Sequence, residues 1–259
     1  MTRTALSFFA FLVSLSMFAT SSAAEPEGID ALTAKNSRLA KGEVIAFFGD
    51  SITQAGARPG GYCRLIGEAI KKQRPELGVK IVYAGISGHK VPDLQGRLQR
   101  DVLSKNPTIV FIYIGINDVW HSTRGRGTPK DQFEAGLRDL IKQISASDAR
   151  IVLCTPSTIG EKTDGSNALD VMLEDYSKIS RKIAADTGVT LCDLRKVFLV
   201  HLKKHNPDNK SRGILTGDGV HLNAAGNQFV AAQAAEAIAK ALKKDETRRI
   251  KKLDRRLDP

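Results

Sequence analysis

Val44-Ile45-Ala46-Phe47-Phe48-Gly49-Asp50-Ser51-Ile52-Thr53 is the stretch from which the rest of the chain can be ordered. Its first five residues are apolar without alternation, the pattern of a strand covered on both faces. Gly49 then permits a tight turn, and Ser51 emerges directly beyond it. Taken alone, Gly-Asp-Ser is also what an ordinary turn followed by a helix cap requires, so its meaning depends on what other strands bring beside it.

Four further apolar runs follow, at 79–84, 108–114, 150–154 and 189–194, each closed by polar or glycine punctuation. Between them the periodicity is helical, over 62–73, 92–103, 129–145 and 168–187, with a last helix from 224 to 244 or beyond. Strands alternating with helices, and strands apolar on both faces, predict an α/β fold: an open, doubly wound parallel sheet in a three-layer arrangement with helices on either side. Ligands bind such a sheet at the carboxyl ends of its strands, so function is expected just after each run. Residues 155–167 form a long loop near that edge and are expected to shape the cleft.

Several residues meet that expectation. The second run leads into Gly85-Ile86-Ser87-Gly88, and the third into Gly115-Ile116-Asn117-Asp118. A glycine lets its backbone N–H approach a reacting oxygen closely, and an asparagine offers a neutral donor that does not titrate, so Gly88 and Asn117 are candidate oxyanion donors. Before the last helix comes Asp218-Gly219-Val220-His221. In a tight turn that spacing can bring the carboxylate to the imidazole Nδ1–H, leaving Nε2 free to take a proton from a serine. Asp118, Asp50 and Asp193 read as structural acids that satisfy loop backbone. Asp50 also sits beside the nucleophile, and with His89 and Trp120 it is a candidate substrate contact.

The 259 residues, 42% hydrophobic, suffice for one sizeable core. Three regions are distinguished. Residues 1–24 carry Arg3, an apolar run over 5–19 and then Ser22-Ala23-Ala24, the pattern of a secretory signal peptide; a run of about 15 residues falls short of the ~20 that span a bilayer. Secretion or a periplasmic location is therefore expected. Residues 25–242 form the folded domain. Residues 243–259 hold eight basic and four acidic side chains and read as a solvated helical tail, with a polyanion or membrane surface as its candidate partner. The formal net charge is +11. Cys63, Cys154 and Cys192 imply no disulfide framework; buried thiols are expected, with a Cys154–Cys192 bridge the lesser alternative.

These blocks, in this order and at these spacings, resemble those of the SGNH hydrolases, also called the GDSL esterase/lipase superfamily. The resemblance spans residues 44–222. Its four name-giving residues match Ser51, Gly88, Asn117 and His221, and its acid matches Asp218. It implies a flavodoxin-like five-stranded sheet of order 2-1-3-4-5, in which the strand carrying Ser51 lies between those carrying Gly88 and Asn117. It also implies ester hydrolysis with Ser51 as nucleophile, His221 as base, Asp218 orienting the base, and Ser51, Gly88 and Asn117 forming the oxyanion hole. Two positions depart from the pattern: Tyr83-Ala84 where an asparagine is common, and His89 where an asparagine or aspartate follows the glycine. His89 is expected to be a solvated loop histidine.

A short acyl group, acetyl in particular, carried on a carbohydrate or small alcohol is the expected substrate; longer acyl chains, or glycan binding without catalysis, are the alternatives. No cofactor, no metal and no nucleic-acid partner are expected. Phosphate-loop and dinucleotide glycine patterns are absent, and His201 and His205, four apart on a helix, lack the acid of a zinc motif and flank Lys203 and Lys204.

Overall fold

The computed structural model describes residues 28–257; the expected leader at 1–24 lies outside them. Five parallel strands, β1 (Val44–Gly49), β2 (Lys80–Gly85), β3 (Ile109–Tyr113), β4 (Arg150–Cys154) and β5 (Thr190–Cys192), form one sheet in the order β2-β1-β3-β4-β5. The helices are α1 (Asp30–Thr33), α2 (Ser51–Gly56), α3 (Tyr62–Gln73), α4 (Val91–Asp101), α5 (Ile116–Trp120), α6 (Lys130–Ser145), α7 (Asp170–Thr187), α8 (Leu194–His205) and α9 (Ala224–Leu257). Contacts among α1, α3 and α9 build one layer and contacts among α4, α6 and α7 the other, so the doubly wound, three-layer α/β expectation holds.

The apolar runs behave as their positions demand. The central strands β1, β3 and β4 are buried along almost their whole length because helices cover both faces. β2 differs: as an edge strand it is only partly buried, and Tyr83 is exposed. β5, the opposite edge, keeps three residues of a six-residue run, since Leu194 is taken into α8 with Asp193 as the capping residue. Beneath β1, the rings of Phe47, Tyr62 and Phe111 meet edge to face or tilted at centroid distances of 5.5–6.3 Å. Full burial of each such ring contributes about 1.5–3 kcal/mol, and together they fix α3 against the sheet. Tyr62 extends its hydroxyl to Thr53 Oγ1 at 2.9 Å, which ties the helix bearing the serine to the same core.

α9 continues to Leu257, so the backbone of residues 243–257 carries on from the last helix. Where it leaves the domain, Lys244 Nζ donates to the Gly188 carbonyl at 2.6 Å. The tail side chains beyond 245, and with them the expected polyanion contact, lie outside those described. All three cysteines are free and buried. Cys154 and Cys192 are direct register partners on β4 and β5, yet they remain thiols, and burial beside Cys192 holds the Cys154 thiol well above its ordinary range.

Candidate active site

Ser51 is the first residue of α2, immediately past the end of β1. Gly49 is needed here for space and not for a special backbone angle: a Cβ on it would stand 2.3 Å from both Thr53 Oγ1 and the Tyr113 carbonyl. α2 can therefore begin hard against β3. Asp50 caps the helix, its Oδ1 accepting from Ile52 N–H at 2.9 Å. It is 1% exposed, which corrects the expectation of a substrate contact and supports that of a structural acid. Burial, with Asp118 as an added like charge, pushes the Asp50 carboxyl up to about 7 despite the bond from Ile52.

The serine hydroxyl meets the imidazole directly. Ser51 Oγ lies 2.9 Å from His221 Nε2, and His221 Nδ1 lies 2.7 Å from Asp218 Oδ2. The other oxygen of Asp218 accepts from the backbone N–H groups of Val220 at 2.9 Å and His221 at 2.7 Å, closing the turn that the three-residue spacing suggested. Burial alone would raise the Asp218 carboxyl; the bonds from the His221 ring and from the two backbone N–H groups outweigh it and hold the group below the usual carboxylate range. An ionised carboxylate at Nδ1 selects the tautomer with its proton there, so Nε2 is left as an acceptor for the serine proton.

Gly88 stands in the turn after β2 and Asn117 in the first turn of α5, just after β3; β2 and β3 are the two neighbours of β1. Gly88 adopts φ +78°, within a turn in which His89 N–H donates to the Ile86 carbonyl. That turn is tied to α2 by Ser87 N–H, which donates to Gln54 Oε1 at 3.1 Å. Asn117 Nδ2 donates to the His89 carbonyl at 3.1 Å, leaving the second hydrogen of its amide for another acceptor. Gly88 and Asn117 thus flank, in the strand order, the strand that delivers Ser51.

The neighbouring acids divide as expected. Asp118, buried, accepts from Val91 N–H at 3.1 Å and so joins α5 to the start of α4; burial pushes its carboxyl up to about 6. Asp193 takes both Arg181 Nε at 2.8 Å and Arg181 Nη2 at 3.0 Å. Trp120 is 37% exposed, with its ring 6.3 Å from that of His221 in an edge-on orientation. His201 and His205 stack on each other at 4.3 Å, and His201 packs on Phe229 at 4.9 Å, so His201 is half-buried while His205 is exposed. Among the described residues no group of three or more His, Cys, Asp or Glu side chains gathers as metal ligands.

Three residues near the site carry roles the sequence reading missed or misjudged. His89 is not a freely solvated loop side chain: its Nδ1 accepts from Arg97 Nε at 3.0 Å. Arg97 was missed, although its place on the α4 face shared with Val91, Leu94 and Leu98, all buried, was a signal in the helical periodicity. Glu161, in the long loop after β4, is fully buried, and no local pattern marks it.

Residues 47–229 match the model of the GDSL-like Lipase/Acylhydrolase family. An acetylxylan esterase of Geobacillus stearothermophilus is 32% identical over 211 residues, covering 75% of this chain and 93% of that protein. Solved structures of an acetylxylan esterase from that organism, with TM-scores of 0.66–0.67, include catalytic mutants in which a serine, an aspartate and a histidine three residues after the aspartate are each replaced by alanine. The crystal structure of the acetyl xylan esterase AlAXEase superposes with a TM-score of 0.74 at 47% identity, covering 75% of this chain and 99% of that one. An isoamyl acetate-hydrolyzing esterase 1 homolog of Rattus norvegicus is 28% identical, covering 72% of this chain and 77% of the relative.

Proposed function

Because the chain belongs to the GDSL-like lipase/acylhydrolase family and is a carboxylic-ester hydrolase, we propose that it removes short acyl groups, acetyl foremost, from carbohydrate or small alcohol esters through an acyl-enzyme on Ser51. The observation that carries this reading is the unbroken line Ser51 Oγ, His221 Nε2, His221 Nδ1, Asp218 Oδ2, with contacts of 2.9 and 2.7 Å. The preference for acetyl is supported by the relatives, named for acetylxylan and for isoamyl acetate. A serine, an aspartate and a histidine are also the catalytic mutation sites in the Geobacillus esterase.

His221 takes the Ser51 proton as Oγ attacks the ester carbonyl. The tetrahedral oxyanion is held by the backbone N–H groups of Ser51 and Gly88 and by the free N–H of Asn117. His221 then gives its proton to the departing alcohol, leaving Ser51 acylated. Water, deprotonated by the same imidazole, attacks the acyl carbon, and the carboxylic acid leaves as Oγ recovers its proton. Asp218 stabilises the imidazolium in both halves. If the leader acts as read, the substrate is met outside the cytoplasm, where polymeric esters are accessible.

A series of p-nitrophenyl esters of increasing acyl length tests this. Turnover is expected to peak at acetate and vanish in Ser51→Ala, and a fluorophosphonate should label Ser51. Activity that climbs towards long chains would replace the acetyl assignment with a long-chain one; full activity in Ser51→Ala would end the serine mechanism.

A further inference from the structure

Arg97 is a charged side chain driven into the interior at 4% exposure, directly behind the catalytic loops. Its guanidinium spreads over four acceptors. Nη2 donates to the Gly49 carbonyl at 2.7 Å, Nη1 to the Ala84 carbonyl at 2.9 Å and to Asp101 Oδ2 at 3.1 Å, and Nε to His89 Nδ1 at 3.0 Å. The Phe48 ring lies beneath it at 4.6 Å. Gly49 and Ala84 lie at the ends of the strands that lead to the nucleophile and to the Gly88 turn. One side chain thus fastens both strand ends to each other and to His89. His89 in turn offers its carbonyl to Asn117 Nδ2 at 3.1 Å. The connection runs without a gap from Gly49 through Arg97 and His89 to Asn117, passing the Gly88 turn.

The direction of the Arg97–His89 bond fixes the state of the imidazole. A guanidinium stays protonated and only donates, so Nδ1 must accept, and the ring must be neutral with its proton on Nε2. Adding a proton to Nδ1 would set N–H against N–H and one positive charge against another. Resting on the assignment of Gly88 and Asn117 to the oxyanion hole, we propose that His89 is a positioning residue, held by Arg97 as the neutral Nε2–H tautomer, and that its protonation releases the loop that aims both donors. The surroundings favour the neutral ring. Burial and then Arg97 lower the His89 pKa below its ordinary value; Arg100 acts the same way, while the charges of Asp93 and Asp101, also on α4, oppose them without prevailing. The bond is therefore intact at neutral pH and is lost on the acid side.

Steady-state hydrolysis of p-nitrophenyl acetate across pH 5 to 8, by the full chain and by Asn117→Ala, His89→Ala and His89→Asn, tests the proposal. Asn117→Ala should lose on the order of 100- to 1000-fold in kcat at every pH. His89→Ala should lose roughly 10-fold in kcat at pH 8 with KM little changed, as one missing hydrogen bond felt in the transition state would. His89→Asn, whose Oδ1 can accept from Arg97 and cannot titrate, should recover most of that loss. Its acid limb should be less steep than the parent's, because the titrating ring at position 89 is gone. Two results overturn the proposal: His89→Ala with parental kcat at pH 8, or His89→Asn with the parental acid limb. Full kcat in Asn117→Ala instead overturns the oxyanion-hole assignment itself, so the two failures are told apart. Should His89→Ala not fold, as circular dichroism would show, the acid limb of His89→Asn decides alone.

Discussion

One carboxylate oxygen of Glu161 accepts both the backbone N–H of Thr216, at 2.6 Å, and the hydroxyl of Thr216, at 2.8 Å. The same oxygen takes Leu215 N–H, and the other takes Ile214 N–H, each at 2.7 Å. Thr216 Oγ1 then accepts from Gly219 N–H at 3.1 Å, inside the turn that carries Asp218 and His221. A buried acid from the loop after β4 therefore seats the acid–base turn. In Glu161→Gln the amide oxygen can keep the three donors of Oε1, but the N–H₂ must face Ile214 N–H and leaves that donor without its acceptor. Unfolding free energy should drop by about 1–3 kcal/mol in urea titrations, and kcat should fall more than KM changes. A parental urea midpoint would show that the loop does not depend on this carboxylate.

Asp50 makes a stability prediction with a definite sign. Its folded pKa of about 7 lies above the ordinary 3.8, so between those values the folded state holds a proton that the unfolded state has lost. The group's contribution thus becomes less favourable as pH rises through this window and is constant above it. Asn at position 50 keeps the Oδ1 acceptor for Ile52 N–H and removes the buried charge. The stability of Asp50→Asn relative to the parent should therefore rise from pH 4 to 7 by on the order of 2–4 kcal/mol, then level off. Denaturant midpoints at pH 4, 5, 6, 7 and 8 measure this. A pH-independent difference would mean that the carboxyl is ionised throughout in the folded protein.

The sheet was legible because β1, β3 and β4 are buried on both faces, and continuous apolar runs follow from that burial. The geometry of the candidate site was legible where it is local: Asp218 and His221 share one turn, and Ser51 follows β1 directly. What escaped was long-range polar satisfaction. Glu161 finds its partners 53 to 55 positions away, in a segment with no periodicity, so no window of sequence joins them. Arg97 occupies a core-facing helical position, but the two partners that tie the strand ends are carbonyls, which every residue possesses and no sequence displays. Asp50 was judged both a capping acid and a candidate substrate contact; only its burial decides between them.

Trp120, the only indole of the chain, is 37% exposed and stands 6.3 Å from the His221 ring. A flat aromatic face at this position suits the apolar face of a sugar ring in the alcohol part of an ester, and has little to stack on in a small aliphatic ester such as methyl acetate. Trp120→Ala should raise KM for an acetylated xylo-oligosaccharide roughly 10-fold, the equivalent of about 1.4 kcal/mol of lost stacking, with parameters for methyl acetate within about 3-fold. Equal effects on both substrates would place the tryptophan in the support of His221 and not in recognition of the alcohol.

Asp218 tests the tautomer argument most sharply, because asparagine keeps half of its bonds. In Asp218→Asn the retained oxygen can still accept from Val220 and His221 N–H, so the turn survives. The amide that replaces Oδ2 donates towards Nδ1, which must then accept and carry no proton. The ring proton moves to Nε2, which points at Ser51 Oγ and can no longer act as a base. Turnover of p-nitrophenyl acetate should fall by roughly 10³- to 10⁴-fold. The Asp218 side chain is 49% exposed, so the unfolding midpoint should scarcely move. A variant that kept more than about a tenth of parental kcat would show that His221 reaches its basic tautomer without the carboxylate, and that the role assigned to Asp218 is wrong.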